Sequence, residues 1–406
     1  MVKTIKNISE NTFQALSSLS KTDIIDLLHS KGILGDDIRL TNLFKSDENN
    51  FSIHQLNEKD INFLIKVFSD ELIIPNFHSF SEKITEITKL VESNCNGSVA
   101  NYIPELKSVD PKHFAVSICT IDGQCYNFGD SETPFCVQST CKPINYCIAL
   151  ESLGEAKVHQ FIGKEPSGQR FNEVALNKDG LPHNPLINSG AMMCCALIKP
   201  EDTIAERFDY VKKYWSQLTL NRGPGFDQAT YESEKLTAHR NYALAHLMQE
   251  IQAFPKNTSI ENTMDLYIRN CSLTLTTSNL SLAAATLANG GINPFSQEKI
   301  FSNETIKDCL TIMSFCGMYD FSGEFAFKVG IPAKSGVSGA IMLVIPNVMG
   351  ICVWSPNLDH YGNSVRGVEF ATRLTETFNF HNFDSLVGNS SKIDPRRHFS
   401  NANFDI

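Results

Sequence analysis

The sequence predicts an α+β protein in which an antiparallel sheet lies beside a larger set of helices. Alternation of apolar and polar residues over 116–120, followed by the turn pair Asp122-Gly123, indicates a hairpin in the first half of the chain. A second hairpin is indicated over 339–354, with its turn at Pro346-Asn347. Because mostly helical patterns lie between them, we expect the two hairpins to pair in one sheet across a helical insert.

Residues 1–95 predict a small all-α domain that precedes the sheet. Ile24, Leu27 and Leu28 have helical spacing, and Gly32 is placed to end that helix. Ser81 is predicted to cap a later helix of the same domain. A turn-rich stretch over 94–98 then marks the boundary, so we expect a second domain over 96–385 and a C-terminal tail over 386–406.

One stretch of the helical domain has part of a calcium-binding pattern. Asp47, Asn49 and Glu58 stand at positions one, three and twelve of an EF-hand loop. Position six needs a glycine for its sharp turn, and Ser52 stands there instead. We therefore predict a solvated loop without calcium.

The composition excludes several classes of protein. The 406 residues carry a net charge of −10 and no basic run, so a nucleic-acid partner is not expected. No apolar stretch is long enough to cross a membrane, and the first residues have neither a signal core nor the character of a transit peptide. The twelve cysteines lack Cys-x-x-Cys spacing, which favours reduced, buried thiols over disulfides or a metal site.

Ser139 and Lys142 form the pattern with the clearest chemistry. Their spacing puts both side chains on one face of a helix, and Pro143 is tolerated only in the first helical turn. Ser139 should therefore lie at the helix start, where developing negative charge is favoured. A serine nucleophile needs a base, and a lysine can serve if burial or a nearby cation lowers its pKa. Lys334, in Lys334-Ser335-Gly336 before the second hairpin, is the candidate cation.

The spacing alone is weak, because Ser18 and Lys21 share it without any other chemical feature. Combined with the later Lys334-Ser335-Gly336, it is typical of serine acyl-transfer enzymes of the β-lactamase type. The alternative at this point is an ordinary helix start with no catalytic role.

A series of ordered segments resembles the glutaminases, and the animal phosphate-activated members in particular. The resemblance covers about 16–397 and is strongest over 102–365. It implies a β-lactamase-like fold behind an EF-hand-like helical domain, and hydrolysis of L-glutamine to L-glutamate and ammonia without a cofactor. The segments that carry it, besides the run over 332–347, are Gln138-Ser139-Thr140-Cys141-Lys142-Pro143, Lys164-Glu165-Pro166-Ser167-Gly168, Pro182-His183-Asn184-Pro185, Asn188-Ser189-Gly190-Ala191, Glu232-Ser233-Glu234-Lys235, Arg240-Asn241, Leu287-Ala288-Asn289-Gly290-Gly291 and Gly317-Met318-Tyr319-Asp320.

The resemblance implies roles for the catalytic residues. Ser139 would be the nucleophile that forms an acyl-enzyme, with Lys142 as its base. Tyr319 would move protons at the leaving nitrogen or the incoming water. The backbone N–H groups of Ser139 and Val337 would form the oxyanion hole.

A site for glutamine must recognise three groups: an α-ammonium, an α-carboxylate and a side-chain amide. Glu234 is the natural partner of the ammonium group. Each predicted binding residue also has a structural alternative as a packing, turn or surface residue, whereas Cys141 and His183 are interpreted as structural. The other predicted binding residues are Asn188, Asn241 and Tyr267 toward the carboxylate, Tyr102 as a lid, and Gln138 beside the nucleophile.

The sequence departs from the animal family at Glu173-Val174-Ala175, where a basic residue and bulky apolar residues are usual. That segment is associated with activation and assembly, so phosphate as an activator and a homotetramer rather than a homodimer both stay open. The resemblance implies a mitochondrial location, with the cytoplasm as the alternative. The competing functions are a penicillin-recognising serine hydrolase and a non-catalytic scaffold.

Overall fold

The computed structural model describes residues 19–35, 37–40, 43, 56–168, 176–384 and 391–397. Short 3₁₀ turns occur at Ile38–Leu40, Gln138–Cys141 and Tyr319–Phe321. The described helices are α1 (Lys21–Ser30), α2 (Glu58–Phe68), α3 (Phe77–Glu92), α4 (Pro104–Lys107), α5 (Lys142–Leu153), α6 (Glu155–Val158), α7 (Asn188–Leu197), α8 (Ile204–Leu218), α9 (Gln228–Thr237), α10 (His239–Glu250), α11 (Ile260–Cys271), α12 (Thr277–Ala288), α13 (Asn303–Cys316), α14 (Ser322–Lys328) and α15 (Val365–Thr377). The strands are β1 (Ala115–Thr120), β2 (Cys125–Gly129), β3 (Phe135–Cys136), β4 (Gly225–Phe226), β5 (Leu273–Leu275), β6 (Ala333–Ser335), β7 (Ala340–Ile345) and β8 (Met349–Trp354).

Five strands form the main sheet in the order β2-β1-β8-β7-β6, and every pairing is antiparallel. β1 pairs with β8 in a register that places Ala115 opposite Trp354. Both predicted hairpins are therefore present, and they join across the helical insert. These findings confirm the α+β prediction. A second, small sheet has the order β3-β5-β4.

Helices cover both faces of the main sheet. Along β7, Ile341 and Leu343 pack in a cluster with side chains of α3 and α15. Met342 and Val344 alternate with them and pack in the larger core with α12 and the helical insert. Because both faces are covered, β7 and β8 are buried along their whole length, which explains their nearly continuous apolar runs. No helix in the described ranges is long and apolar enough to cross a bilayer.

The helices before the sheet divide between two cores. Side chains of α1 and α2, such as Leu28 and Leu64, share a small cluster of their own. α3 instead packs on the sheet beside α15. The Gln124 amide at the tip of the first hairpin joins the two parts, because its Nε2 donates to the carbonyls of Lys31 and Ile74 at 2.9 and 3.0 Å. The boundary at residue 95 stays a prediction.

The prediction for the start of α3 was wrong. α3 begins at Phe77, and Asn76 caps it by accepting a hydrogen bond from the N–H of Ser79 at 3.2 Å. Ser81 lies inside the helix. Phe77 and Phe80 are each only 3% exposed, so the apolar stripe of α3 begins one turn earlier than predicted.

Two residues of the partial calcium-binding pattern, Asp47 and Asn49, lie outside the described residues. Across the ranges that the structure does describe, no group of three or more His, Cys, Asp and Glu side chains could hold a metal ion. The EF-hand-like character of the N-terminal segment stays a prediction.

Candidate active site

Ser139 lies where β3 turns into α5. The intervening 3₁₀ turn, Gln138–Cys141, is here called the Ser139 turn, and the N–H of Lys142 closes it by donating to the carbonyl of Ser139. Pro143 occupies the first turn of α5, as predicted. Gln138 has φ of +47°, a left-handed conformation that costs a residue other than glycine about 1–3 kcal/mol. The surrounding fold therefore imposes the turn that presents Ser139 at the helix start.

Tyr319 shares this unusual backbone conformation, with φ of +53°. Its segment is tied to the edge strand β6, because the N–H of Ser335 and the Nζ of Lys334 donate to the carbonyl of Gly317 at 3.0 and 3.2 Å. The approach requires glycine, since a Cβ at position 317 would lie 1.7 Å from the carbonyl oxygen of Ala333. Edge strand β6 thus positions Tyr319.

The same strand also packs against the Ser139 turn. A Cβ at Gly336 would lie 3.0 Å from the carbonyl oxygen of Val137 and 3.2 Å from Cγ2 of Thr140. The glycine of Lys334-Ser335-Gly336 therefore allows close packing of the two segments. Val337, which follows it, lines the same cavity as Ser139.

The predicted site residues meet at one cavity of about 420 Å³. Eight of the eleven line it. The other three, Lys142, Tyr319 and Lys334, are buried and contact lining residues or one another. The predicted residues in the lining are Tyr102, Gln138, Ser139, Asn188, Glu234, Asn241, Tyr267 and Val337.

Five further residues line the cavity but were not predicted as site residues: Thr237, Ala238, Arg240, Ile268 and Cys271. Helical spacing could have indicated two of them. Thr237 lies one turn after Glu234 on α9, and Cys271 lies one turn after Tyr267 on α11. Arg240 directly precedes Asn241, but an exposed arginine carries no sequence signal that separates it from a surface residue.

Glu234 provides the negative group of the cavity. Its Oε1 accepts hydrogen bonds from the hydroxyl of Tyr102 at 2.6 Å and the Nε2 of Gln138 at 3.0 Å. Burial raises the pKa of Glu234, and these two hydrogen bonds counter part of that rise. Tyr102 is 47% exposed although its hydroxyl reaches Glu234, so it closes one side of the cavity as a lid residue would.

Two lysine amines lie beneath the Ser139 turn, and both side chains are 0% exposed. Burial lowers the pKa of Lys142, because the charged form loses its hydration. Burial also lowers the pKa of Lys334 well below its usual value, and the positive charge of Lys142 lowers it further. Two amines so placed are unfavourable as a doubly charged pair, and the pKa of Lys334 falls further than that of Lys142.

The amide of Asn188 connects Lys142 with the cavity. Its Oδ1 accepts from the Nζ of Lys142 at 2.6 Å, and its Nδ2 donates to Oδ1 of Asn241 at 3.1 Å. Because Oδ1 of Asn241 already accepts this hydrogen bond, the amide of Asn241 can offer its N–H donors to an anion.

Tyr319 connects the Ser139 hydroxyl with β6. Burial raises the pKa of Tyr319, while hydrogen bonds with Ser139 and Ser335 lower it in part. The Nζ of Lys334 lies 4.5 Å from the centre of the Tyr319 ring. A phenol with a raised pKa remains protonated at neutral pH, so Tyr319 can donate a proton and recover it.

The fold and the cavity define a class of protein: an α+β protein whose buried Ser-x-x-Lys pair adjoins a pocket that holds a carboxylate. The family model described as Glutaminase matches residues 97–383. The chain belongs to the glutaminase family.

Two named relatives and one solved structure are similar to this chain. "Glutaminase liver isoform, mitochondrial" of Mus musculus is 46% identical over 338 residues, which cover 83% of this chain and 56% of the relative. A glutaminase of Nostoc sp. is 43% identical, with 75% of this chain and 91% of the relative covered. The solved glutamate form of Mglu has a TM-score of 0.72 and 35% identity, covering 76% of this chain and 70% of that one. The chain spans little more than half the length of the animal relatives.

Proposed function

We propose that this protein hydrolyses L-glutamine to L-glutamate and ammonia through a γ-glutamyl ester on Ser139. The observation that carries the proposal is one cavity that contains both the Ser139 hydroxyl and the Glu234 carboxylate. A hydroxyl beside a low-pKa amine supplies the nucleophile, and a buried carboxylate selects a cationic group on the substrate. Membership in the glutaminase family supports the same substrate.

The cavity groups match the free amino acid. Glu234 binds the α-ammonium, whose positive charge compensates for the burial that raises the pKa of this carboxylate. Asn188, Asn241 and Tyr267 offer neutral donors to the α-carboxylate. A volume of about 420 Å³ lies at the small end of the range for ligand pockets, as suits one amino acid.

The first chemical step forms a tetrahedral intermediate on Ser139. Neutral Lys142 takes the proton of Ser139 as its oxygen attacks the amide carbon of glutamine. The backbone N–H groups of Ser139 and Val337 donate to the oxyanion. In support, neither N–H has a protein acceptor within the described ranges. Two preorganised donors of this kind each contribute about 3 kcal/mol in other enzymes.

In the second step the C–N bond breaks, which releases ammonia and leaves the γ-glutamyl ester, and water then hydrolyses this ester to glutamate. Tyr319 donates its proton to the leaving nitrogen and later takes one from the water that attacks the ester. The influence of Ser139 on the pKa of Tyr319 shows that the two hydroxyls are neighbours, which supports this role. Lys142 returns a proton to Ser139 when glutamate leaves.

Tyr319→Phe keeps the ring beside Lys334 and removes only the hydroxyl. We expect kcat to fall by about 10²–10³-fold, as for loss of one positioned acid or oxyanion donor, while KM changes little. Steady-state ammonia release measures both constants. An unchanged kcat would contradict a role for Tyr319 in proton transfer.

Lys142→Arg tests the neutral amine, because arginine keeps the charge and cannot deprotonate. We expect at least about a 10³-fold loss of kcat/KM at every pH. In the parent protein, kcat/KM should rise with pH as Lys142 loses its proton, and the midpoint should lie below 10.5, because burial lowers this pKa. A pH–rate profile without such a limb would contradict Lys142 as the base.

Three substrates distinguish this proposal from its rivals. The purified chain should release ammonia from L-glutamine in a coupled glutamate assay, with and without phosphate. N-acetyl-glutamine lacks the α-ammonium and should react at least about 10²-fold more slowly, since Glu234 then lacks its cationic partner. Hydrolysis of nitrocefin instead of glutamine would favour a penicillin-recognising enzyme, and inertness toward all three would favour a scaffold.

Assembly and location are proposed from the family alone. A homodimer or homotetramer and a mitochondrial location are consistent with the liver-isoform relative, whose description contains the word mitochondrial. Light scattering with and without phosphate would test both the assembly and the effect of phosphate on it.

A further inference from the structure

We propose that Cys141 and Cys271 form a modification site, a dithiol in the wall of the catalytic cavity that peroxide converts to a disulfide, with loss of catalysis. The modification itself does not depend on the proposed function, whereas its effect on turnover does. Neither cysteine has a part in the mechanism proposed above.

Two independent elements bring the pair together. Cys141 ends the Ser139 turn, and Cys271 ends α11, which packs against that turn. The two thiols are neighbours, since the interaction with Cys141 is the largest cause of the raised pKa of Cys271. Nδ2 of Asn145 also donates to the Sγ of Cys141 at 3.6 Å, which fixes that sulfur from the α5 side.

The two thiols differ in access. Cys141 is 1% exposed and lies in the core, whereas Cys271, 5% exposed, lines the cavity. A small oxidant that enters the cavity therefore reaches Cys271 first. A substrate or product in the cavity should cover the same sulfur.

The surroundings of Cys271 disfavour its reactive thiolate at neutral pH. The interaction with Cys141 and burial raise the pKa of Cys271, whereas the nearby positive charge of Lys142 lowers it. Oxidation should therefore be slow at neutral pH and should accelerate as pH rises, because the thiolate is the nucleophile.

The chemistry balances with hydrogen peroxide as the oxidant. The Cys271 thiolate attacks one peroxide oxygen, the O–O bond breaks, and hydroxide leaves with a sulfenic acid on Cys271. The Cys141 thiol then attacks this sulfur, the S–S bond forms, and water leaves. Two thiols and one peroxide give one disulfide and two waters, with sulfur oxidised and peroxide reduced.

The disulfide should disturb the catalytic groups directly. A covalent S–S bond is much shorter than a contact between two neighbouring thiols, so it must draw the Ser139 turn and the end of α11 together. Cys141 lies between Ser139 and Lys142, and Cys271 lies one turn from Tyr267. Displacement of such groups by about 1 Å can reduce turnover about 10²-fold.

A second dithiol provides a matched control within the same chain. Cys147 and Cys309 are also neighbouring thiols, but both are fully buried and neither lines the cavity. If access through the cavity decides the reaction, this pair should stay reduced in folded protein under conditions that oxidise Cys141 and Cys271.

The experiment treats the full chain with hydrogen peroxide at several pH values and maps disulfides by mass spectrometry of peptides. Ammonia release is measured on the same samples. We expect a Cys141–Cys271 linked peptide, loss of about 10²-fold in kcat that dithiothreitol reverses, and slower linkage in the presence of glutamate. Cys141→Ala should keep more of its own untreated activity than the parent does in the same oxidant.

Two outcomes would overturn the proposal: inactivation by peroxide while both peptides remain reduced, or formation of the disulfide without any loss of activity. Because the linked peptide is detected by mass, a protein that lacks glutaminase activity but forms the link would refute the proposed function and leave the site in place. Linkage of Cys147 with Cys309 at an equal rate would refute access through the cavity.

Discussion

Ser139→Ala will reduce kcat for glutamine by at least about 10⁴-fold, as removal of the nucleophile does in other serine hydrolases. The reason is specific to this site: Ser139 lines the cavity and stands three residues before Lys142, whose side chain is buried. Substrate binding should persist, since the groups that we assign to the charged ends of glutamine are untouched. Steady-state kinetics with a glutamate-detecting assay measures the loss, and isothermal titration of the variant measures the binding.

Ser152→Ala is the matched control, because Ser152 lies on α5, the helix that follows the Ser139 turn, and outside the cavity. It should keep kcat within about twofold, as surface substitutions away from such features usually do. Equal thermal unfolding temperatures for the two variants would show that the loss is chemical. Retention of more than a few per cent of activity by Ser139→Ala would contradict the covalent route.

Glu234→Gln will raise KM for glutamine by about 10–100-fold, since a hydrogen bond to a charged partner contributes about 1.5–3 kcal/mol. The substitution keeps the shape of the side chain and removes the negative charge that we propose to bind the α-ammonium. Its effect on kcat should be smaller, because Glu234 contacts Tyr102 and Gln138 and does not contact Ser139 in the described structure.

The pH dependence of KM provides an independent check. Burial raises the pKa of Glu234 above 4.5, so the parent carboxylate becomes neutral at a higher pH than an ordinary glutamate. KM should therefore rise as pH falls through that value, and Glu234→Gln should lack this rise. Glu232→Gln, an exposed change on the same helix, is the control. An unchanged KM in Glu234→Gln would exclude Glu234 from substrate binding.

Local rules were enough to predict the parts of the fold that are long and periodic. Alternation and turn pairs located both hairpins, and Pro143 located the start of α5, because proline is excluded from a helix interior. The strands β3, β4 and β5 have two or three residues each, which is too short for any period to be visible. Their small sheet, which leads into the Ser139 turn, depends on pairing between distant segments.

The sequence indicated residues for the candidate site, but it did not indicate the contacts between their side chains. The resemblance supplied eight residues that line one cavity, but the contact of Lys142 with Asn188 joins residues 46 positions apart. The left-handed backbone at Gln138 and Tyr319 is imposed by packing, since neither residue type favours it. Cys271 lines the cavity one turn after Tyr267 on α11, so helical spacing could have indicated its position, although its residue type gives no signal for a role in the site.

The most direct measurement of the central claim is the partition of a γ-glutamyl group between water and hydroxylamine. Glutamine and the γ-methyl ester of glutamate differ in leaving group and, in this account, pass through the same ester on Ser139. At one hydroxylamine concentration they should give the same ratio of γ-glutamyl hydroxamate to glutamate. A ratio that changes with the leaving group would contradict a common Ser139 intermediate.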